Sequence, residues 1–233
     1  MKKVAIFDVD GTIFRSSFVV ELAEALIKKG FFPKNASEKY ENEERTWLDR
    51  KGDYEAYIKA VVQTFMHDIK GIHYGDFARV AEVVAHEQKD RVYRFTRDLI
   101  EELHKKKYYL LAISQSPKTV VEIFCKRFKF DKVYGRLYEL GPQDQFTGKM
   151  IDEHLIENKA GILHRAVEKE GLTLKGSIGV GDTEGDIAFL ELVEQPVAFN
   201  PNQKLYKYAK RMGWQIVVER KDVIYELFKH GGK

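Results

Sequence analysis

Apolar residues in this chain gather in short runs. VAIF at 4–7, YYLLAI at 108–113, SIGV at 177–180, PVAF at 196–199 and QIVV at 215–218 are each bounded by polar or turn-forming residues. Runs this short, and apolar throughout rather than alternating, predict strands buried on both faces. Helical patterns separate most of them. Strands alternating with helices predict an α/β fold built on a parallel, doubly wound sheet.

The alternation fails in one interval. From about Ser16 to Arg91 no stretch reads as a strand. Phe18, Leu22, Ala25 and Leu26 recur at helical spacing, and so do Phe77, Val80, Ala81 and Val84. Gly30, Pro33, Gly52, Gly71 and Gly75 punctuate the stretch. The pattern predicts a four-helix cap over 16–91, inserted into a core domain made of 1–15 and 92–233. A βα connection normally takes roughly 2–6 residues. An insert this long after the first strand is expected over the C-terminal edge of the sheet, where such sheets bind ligands. GRLYEL and FTGKM flank GPQDQ and predict a β-hairpin or flap between Tyr134 and Met150, while the terminal KHGGK reads as a frayed tail.

Composition narrows the function classes. Of the 233 residues 44% are hydrophobic, enough for a sizeable core, and 32% are charged. With 39 basic and 36 acidic residues the surface is of mixed sign, which argues against a nucleic-acid footprint. The single cysteine, Cys125, permits no internal disulfide and lies in the amphipathic VVEIFCKRF, where it reads as a packed thiol. The apolar run after MKK ends at Asp8, too soon for a secretion leader. No run reaches the ~18 apolar residues of a membrane span. The expected setting is cytoplasmic, without membrane or nucleic-acid partners.

Four strand-end sites carry the candidate chemistry. Asp8 and Asp10 follow VAIF directly, beside Gly11. Taken alone they could be a solvated turn. SQSP at 114–117 follows YYLLAI; Pro117 suits the first position of a helix and Ser116 its N-cap, which leaves Ser114 free to point into the mouth of the sheet. Lys159 falls in the first turn of a helix predicted from about 158 to 170, where a cation opposes the helix dipole unless an anion is near. In GVGDTEGD, Asp182 ends the SIGV strand, and Asp186 could simply close a capping box with Thr183. His67, His73 and His86 are scattered through the insert and read as packing or surface residues.

If these strands are neighbours, Asp8, Asp10 and Asp182 converge, and three carboxylates need a cation. Oxygen ligands without a Cys/His cluster favour Mg²⁺. A phosphoryl group then balances the ion, Lys159, the Ser114 hydroxyl and the loop N–H groups after the second strand. One carboxylate of the Asp8–Asp10 pair can attack phosphorus while the other moves protons.

With these residues in this order the chain resembles the haloacid dehalogenase superfamily. DVDGT matches its first motif, SQS its second, Lys159 its third and GDTEGD its fourth. The resemblance implies an aspartyl-phosphate phosphatase with Asp8 as nucleophile and metal ligand. Asp10 would be the general acid/base and lend its carbonyl to Mg²⁺. Ser114, with Gln115 beside it, and Lys159 would bind the phosphoryl group. Asp182 would ligate the metal, with Asp186 supporting it or binding directly. The helical insert, FTGKM and AFNPNQKLYKYAKRMGW are similar to the phosphoserine-phosphatase branch. Two features depart from that branch: Ser17 stands where a glutamate holds the substrate amine, and no single arginine among Arg15, Arg45 and Arg50 is marked out for the substrate carboxylate. The expected activity is therefore hydrolysis of a small phosphorylated metabolite. Phosphoserine phosphatase proper, a small-molecule phosphotransferase and a non-catalytic phosphate-binding protein are the alternatives.

Overall fold

A computed structural model of the chain describes residues 1–228. The KHGGK tail lies outside them. Eight strands form one sheet: β1 (Lys2–Asp8), β2 (Tyr109–Pro117), β3 (Lys132–Leu140), β4 (Phe146–Ile151), β5 (Leu172–Gly181), β6 (Gln195–Phe199), β7 (Gln215–Arg220) and β8 (Val223–Phe228). Their spatial order is β4-β3-β2-β1-β5-β6-β7-β8. The six central strands are parallel, and β4 and β8 flank them antiparallel. All five apolar runs are strands of this sheet. β1 lies at its centre, between β2 and β5.

Why the runs are continuous is visible in β1. Val4 and Ile6 point to one face and Ala5 and Phe7 to the other, and all four are fully buried. On the first side Ile6 packs with Leu163, Phe189 and Leu205 of α8 (Lys159–Glu170), α9 (Ile187–Leu190) and α10 (Gln203–Met212). On the second side lie α5 (Arg94–Lys105), α6 (Lys118–Cys125) and the helices that follow β1. The short α7 (Glu153–Glu157) precedes α8.

The interval after β1 folds as α1 (Phe18–Lys28), α2 (Glu41–Leu48), α3 (Tyr54–Asp68) and α4 (Tyr74–Glu87). The chain enters and leaves this insert along paired segments. Arg15 N–H donates to the Arg91 carbonyl at 2.9 Å, and Tyr93 N–H donates to the Ile13 carbonyl at 3.0 Å. Phe14 stacks on Phe18 with ring centroids 4.0 Å apart, and Phe18 meets Phe124 of α6 edge-on at 4.8 Å. These buried rings seat α1 on the α/β core; truncating one such ring to alanine costs about 3–5 kcal/mol. Among the described residues no helix is long and apolar enough to cross a membrane.

Several local expectations need correction. β2 runs through Ser116 to Pro117, and α6 starts at Lys118, because Pro117 still pairs with Arg136 of β3. Ser116 therefore does not cap α6; its hydroxyl accepts from Val19 N–H of α1 at 3.1 Å. β8 has no counterpart among the predicted strands, since an edge strand exposing Val223, Tyr225 and Leu227 lacks a continuous apolar run. The hairpin is present as β3 and β4. Cys125 is buried, and burial pushes its thiol up.

Candidate active site

Three parallel strands end side by side, and their ends bring the chemistry together. Asp8 is the last residue of β1 and pairs in register with Ile113 of β2, one residue before Ser114. Gly181 ends β5, directly before Asp182. The turn after β1 needs Gly11, which has φ +77° and faces Asp182; any side chain there would collide with the Asp182 carboxylate. Gly181 is tight for the same reason, since a Cβ would lie 2.5 Å from that of Asp186.

Lys159 ties this cluster together. It opens α8, is 4% exposed, and its Nζ donates at 2.6 Å to Asp8 Oδ1 and at 2.6 Å to Asp186 Oδ1. The adverse helix dipole is thus offset by two carboxylates. Burial alone would push the ammonium down, but Asp186 and Asp8 more than reverse that and hold it well above the ordinary lysine range. Asp186 is fully occupied. Its second oxygen accepts from Asp182 N–H at 2.9 Å and Thr183 N–H at 3.1 Å, and the capping box with Thr183 is present. It is both a cap and a partner of Lys159.

Asp10 lies beyond the strand, at the start of α1. Its Oδ1 accepts from Phe18 N–H at 2.6 Å and its Oδ2 from the Ser114 hydroxyl at 2.5 Å. Ser114 is wholly buried and also accepts from Ser116 N–H at 2.8 Å. It was expected to point into the mouth of the sheet; instead it orients Asp10. Burial raises Asp10, against the opposing pull of the Ser114 hydroxyl and Phe18 N–H. Burial also pushes Asp8 and Asp182 well up, reinforced by neighbouring carboxylates and opposed by Lys159.

Asp8, Asp182 and Asp186 can each offer a carboxylate oxygen within 4.8 Å of the other two. Three buried acids, with the half-buried Asp10 beside them, thus face one buried cation. The excess negative charge and the all-oxygen donor set fit a hard divalent ion such as Mg²⁺. Asp8 and Asp182 keep oxygens without a close donor, whereas both oxygens of Asp186 are engaged.

The cluster opens into a cavity of about 860 Å³. Val19 of α1 and Tyr54, Ile58 and Met66 of α3 line it from the insert side, and Gln115, Arg136 and Glu153 from the sheet side. Burial, reinforced by the charges of Asp182 and Asp10, pushes the Tyr54 phenol well up. Gln115 borders the cavity but turns its carbonyl oxygen to Arg136. Ser17 lines the cavity, whereas Arg15, Arg45 and Arg50 do not. Arg136 takes their place on the wall. Sequence reasoning missed it, although a lone cation inside the strand-like GRLYEL was the available signal. Thr12 was also missed; its hydroxyl donates to Asp182 at 3.4 Å. His67, His73 and His86 are exposed and away from the cluster.

The family model for haloacid dehalogenase-like hydrolases matches residues 5–191. A Neisseria meningitidis protein named histidinol-phosphatase is 27% identical over 224 residues, covering 93% of this chain and 99% of its own. Mycobacterium tuberculosis phosphoserine phosphatase SerB1 is 25% identical over 227 residues, 91% of this chain and 69% of its own. A Bordetella pertussis Tohama I protein of unknown function superposes with TM-score 0.73 at 17% identity, covering 93% of this chain and 98% of its own. A phospho-aspartyl intermediate analogue of a phosphoserine phosphatase superposes with TM-score 0.64 at 20% identity, over 95% of each chain. At these identities the solved structures speak for the fold.

Proposed function

Since the chain belongs to the haloacid dehalogenase-like hydrolases, we propose that it is a Mg²⁺-dependent phosphatase that hydrolyses a small phosphate monoester through an aspartyl-phosphate at Asp8. The observation that carries this reading is the Lys159 ammonium, bonded to one oxygen of Asp8 and leaving the other without a donor at the floor of the cavity. The relatives named for phosphatase activities support it.

Asp8 Oδ2 attacks phosphorus, and the bond from phosphorus to the ester oxygen breaks. Asp10, raised by burial, holds a proton more readily than an ordinary aspartate and gives it to the departing oxygen. The Phe18 N–H and the Ser114 hydroxyl keep that carboxyl in place for the transfer. A water molecule then attacks phosphorus, Asp10 takes its proton back, and the Asp8–phosphorus bond breaks to release inorganic phosphate. Lys159 neutralises charge on Asp8 while it is free and on the phosphoryl oxygens during transfer. Asp8, Asp182 and the Asp10 carbonyl would hold Mg²⁺, with Asp186 fixing Lys159 and the Asp182 backbone. When bound, the ion supplies positive charge for the phosphoryl oxygens and allows Asp8 and Asp182 to stay ionised together.

Residues 16–91 act in this reading as a cap. Tyr54 and its neighbours in α3 roof the cavity, which limits substrates to small molecules and excludes water from the transfer. With Ser17 on the cavity wall in place of a glutamate, phosphoserine is not the favoured substrate.

Hydrolysis of p-nitrophenyl phosphate tests the reading. We expect turnover that requires Mg²⁺ and falls by at least about 10⁴-fold in Asp8→Asn, as for removal of a nucleophile. Undiminished turnover in that variant would remove the covalent route.

A further inference from the structure

Arg136 has no part in the reaction just described, yet it lines the same cavity. It enters from β3 in register with Pro117 of β2, next to the strand end that carries Ser114 and Gln115. The residue is 7% exposed. A guanidinium offers five N–H donors and is always charged. Here Nη2 donates to Gln115 Oε1 at 2.9 Å, Nη1 reaches only the weak acceptor Met150 Sδ at 3.4 Å, and Nε has no partner. Among the described residues no carboxylate pairs with it. The contrast with Lys159, the other buried cation of this cavity, is complete, since that ammonium has two carboxylates. A charge kept out of water without a counter-ion is strongly unfavourable unless a ligand supplies one.

We infer that Arg136 is the specificity-determining residue of the cavity and receives a carboxylate on the leaving group, so that the substrate is the phosphate ester of a hydroxy acid. The planar fork of a guanidinium matches a carboxylate in two parallel hydrogen bonds. Gln115, its carbonyl turned to Arg136, can add its N–H donors. A single negative charge suits the wall better than a second phosphate. Asp53, Glu55, Glu153 and Glu157 also line the cavity, and a dianion beside them would be repelled. At about 860 Å³ the cavity has room for both ends of such a molecule. The inference rests on the phosphatase reading for the ester, and on Arg136 itself for the second anion.

Binding of stable analogues, with Mg²⁺ present, tests the two separately. The probes are ω-phosphonocarboxylates of two to five carbons, n-alkylphosphonates of matching length and α,ω-alkylbisphosphonates, titrated calorimetrically. For at least one length the wild type binds the carboxylate about 10- to 100-fold more tightly than its alkyl match, the range of a charged hydrogen-bond pair. Arg136→Met reduces that ratio below about threefold while leaving alkylphosphonate affinity unchanged, and Arg136→Lys keeps part of it. Absence of a preference in the wild type at every length overturns the inference without any variant needing to fold. So does an equal loss for both series in Arg136→Met, which would put Arg136 on the phosphoryl group. Tighter binding of bisphosphonates than of carboxylates overturns the choice of carboxylate. An Arg136-dependent preference in a protein that hydrolyses no monoester would keep this inference and remove the phosphatase reading. Hydrolysis without the preference would do the reverse.

Discussion

The two walls of the cavity are built on opposite principles. At the ends of β1 and β5, every oxygen of Asp186 and one of Asp8 is engaged by Lys159 or by backbone N–H groups, and the lysine has two acids for itself. Beside the end of β2, a buried guanidinium from within β3 holds on to one amide oxygen and one thioether. The first wall has too many negative charges and the second has an unmatched positive one. Such a pairing is poor for stability and useful for binding: each wall lacks what a bound ion or ligand would bring.

The largest effect falls on the first wall. Lys159→Met removes the only buried cation among four acids. Loss of one partner from a buried ion pair typically costs about 3–5 kcal/mol, so metal-free Lys159→Met is expected to unfold well below the wild type in urea. Turnover should fall at least about 10³-fold. Wild-type stability in this variant would mean that the cluster is not held together by charge.

Asp182→Asn sharpens the contrast from the other side. It should abolish Mg²⁺-dependent turnover yet stabilise the metal-free protein. The sign follows from the raised carboxyls. Asp8, Asp10 and Asp182 hold protons in the fold at pH values where the unfolded chain has released them. Their contribution is therefore least unfavourable below the unfolded carboxylate range, about pH 4, and worsens as pH rises through the raised values. Thermal unfolding in EDTA should show a steeper loss of stability with rising pH for the wild type than for Asp182→Asn. Added Mg²⁺ should help the wild type more at high pH than at low pH. Equal slopes would contradict this account.

The smallest effect concerns Asp10. The Ser114 hydroxyl lowers its pKa, so Ser114→Ala should raise it further. In the proposed reaction Asp10 gives its proton to the leaving group, so the basic limb of the kcat profile should move to higher pH. The rate at the optimum should fall about tenfold. A profile that keeps its limb while KM rises would instead return Ser114 to direct phosphoryl binding.

What the sequence disclosed divides along the same two walls. Asp8, Asp10, Lys159, Asp182 and Asp186 sit beside strand ends and a helix start that hydrophobic periodicity alone locates, so their convergence was legible once the strands were taken as neighbours. Arg136 was not. It lies inside a strand, and whether a strand residue faces a cavity or solvent depends on register and on what packs across from it. Ser114 was found but its direction was not, because that depends on Asp10 approaching from another strand end. Ser116 failed for a related reason: propensity favoured capping its own helix, but the Val19 N–H of α1 reached it first. β8 escaped because Val223, Tyr225 and Leu227 face outward.

The central claim is a covalent bond from Asp8 to phosphorus. Acid quenching during turnover of a ³²P-labelled monoester, followed by peptide mapping, tests it most directly. The account predicts an acid-stable, base-labile label on the peptide containing Asp8, chased to inorganic phosphate when unlabelled substrate is added. Steady turnover with no label on that peptide at any quench time would contradict it.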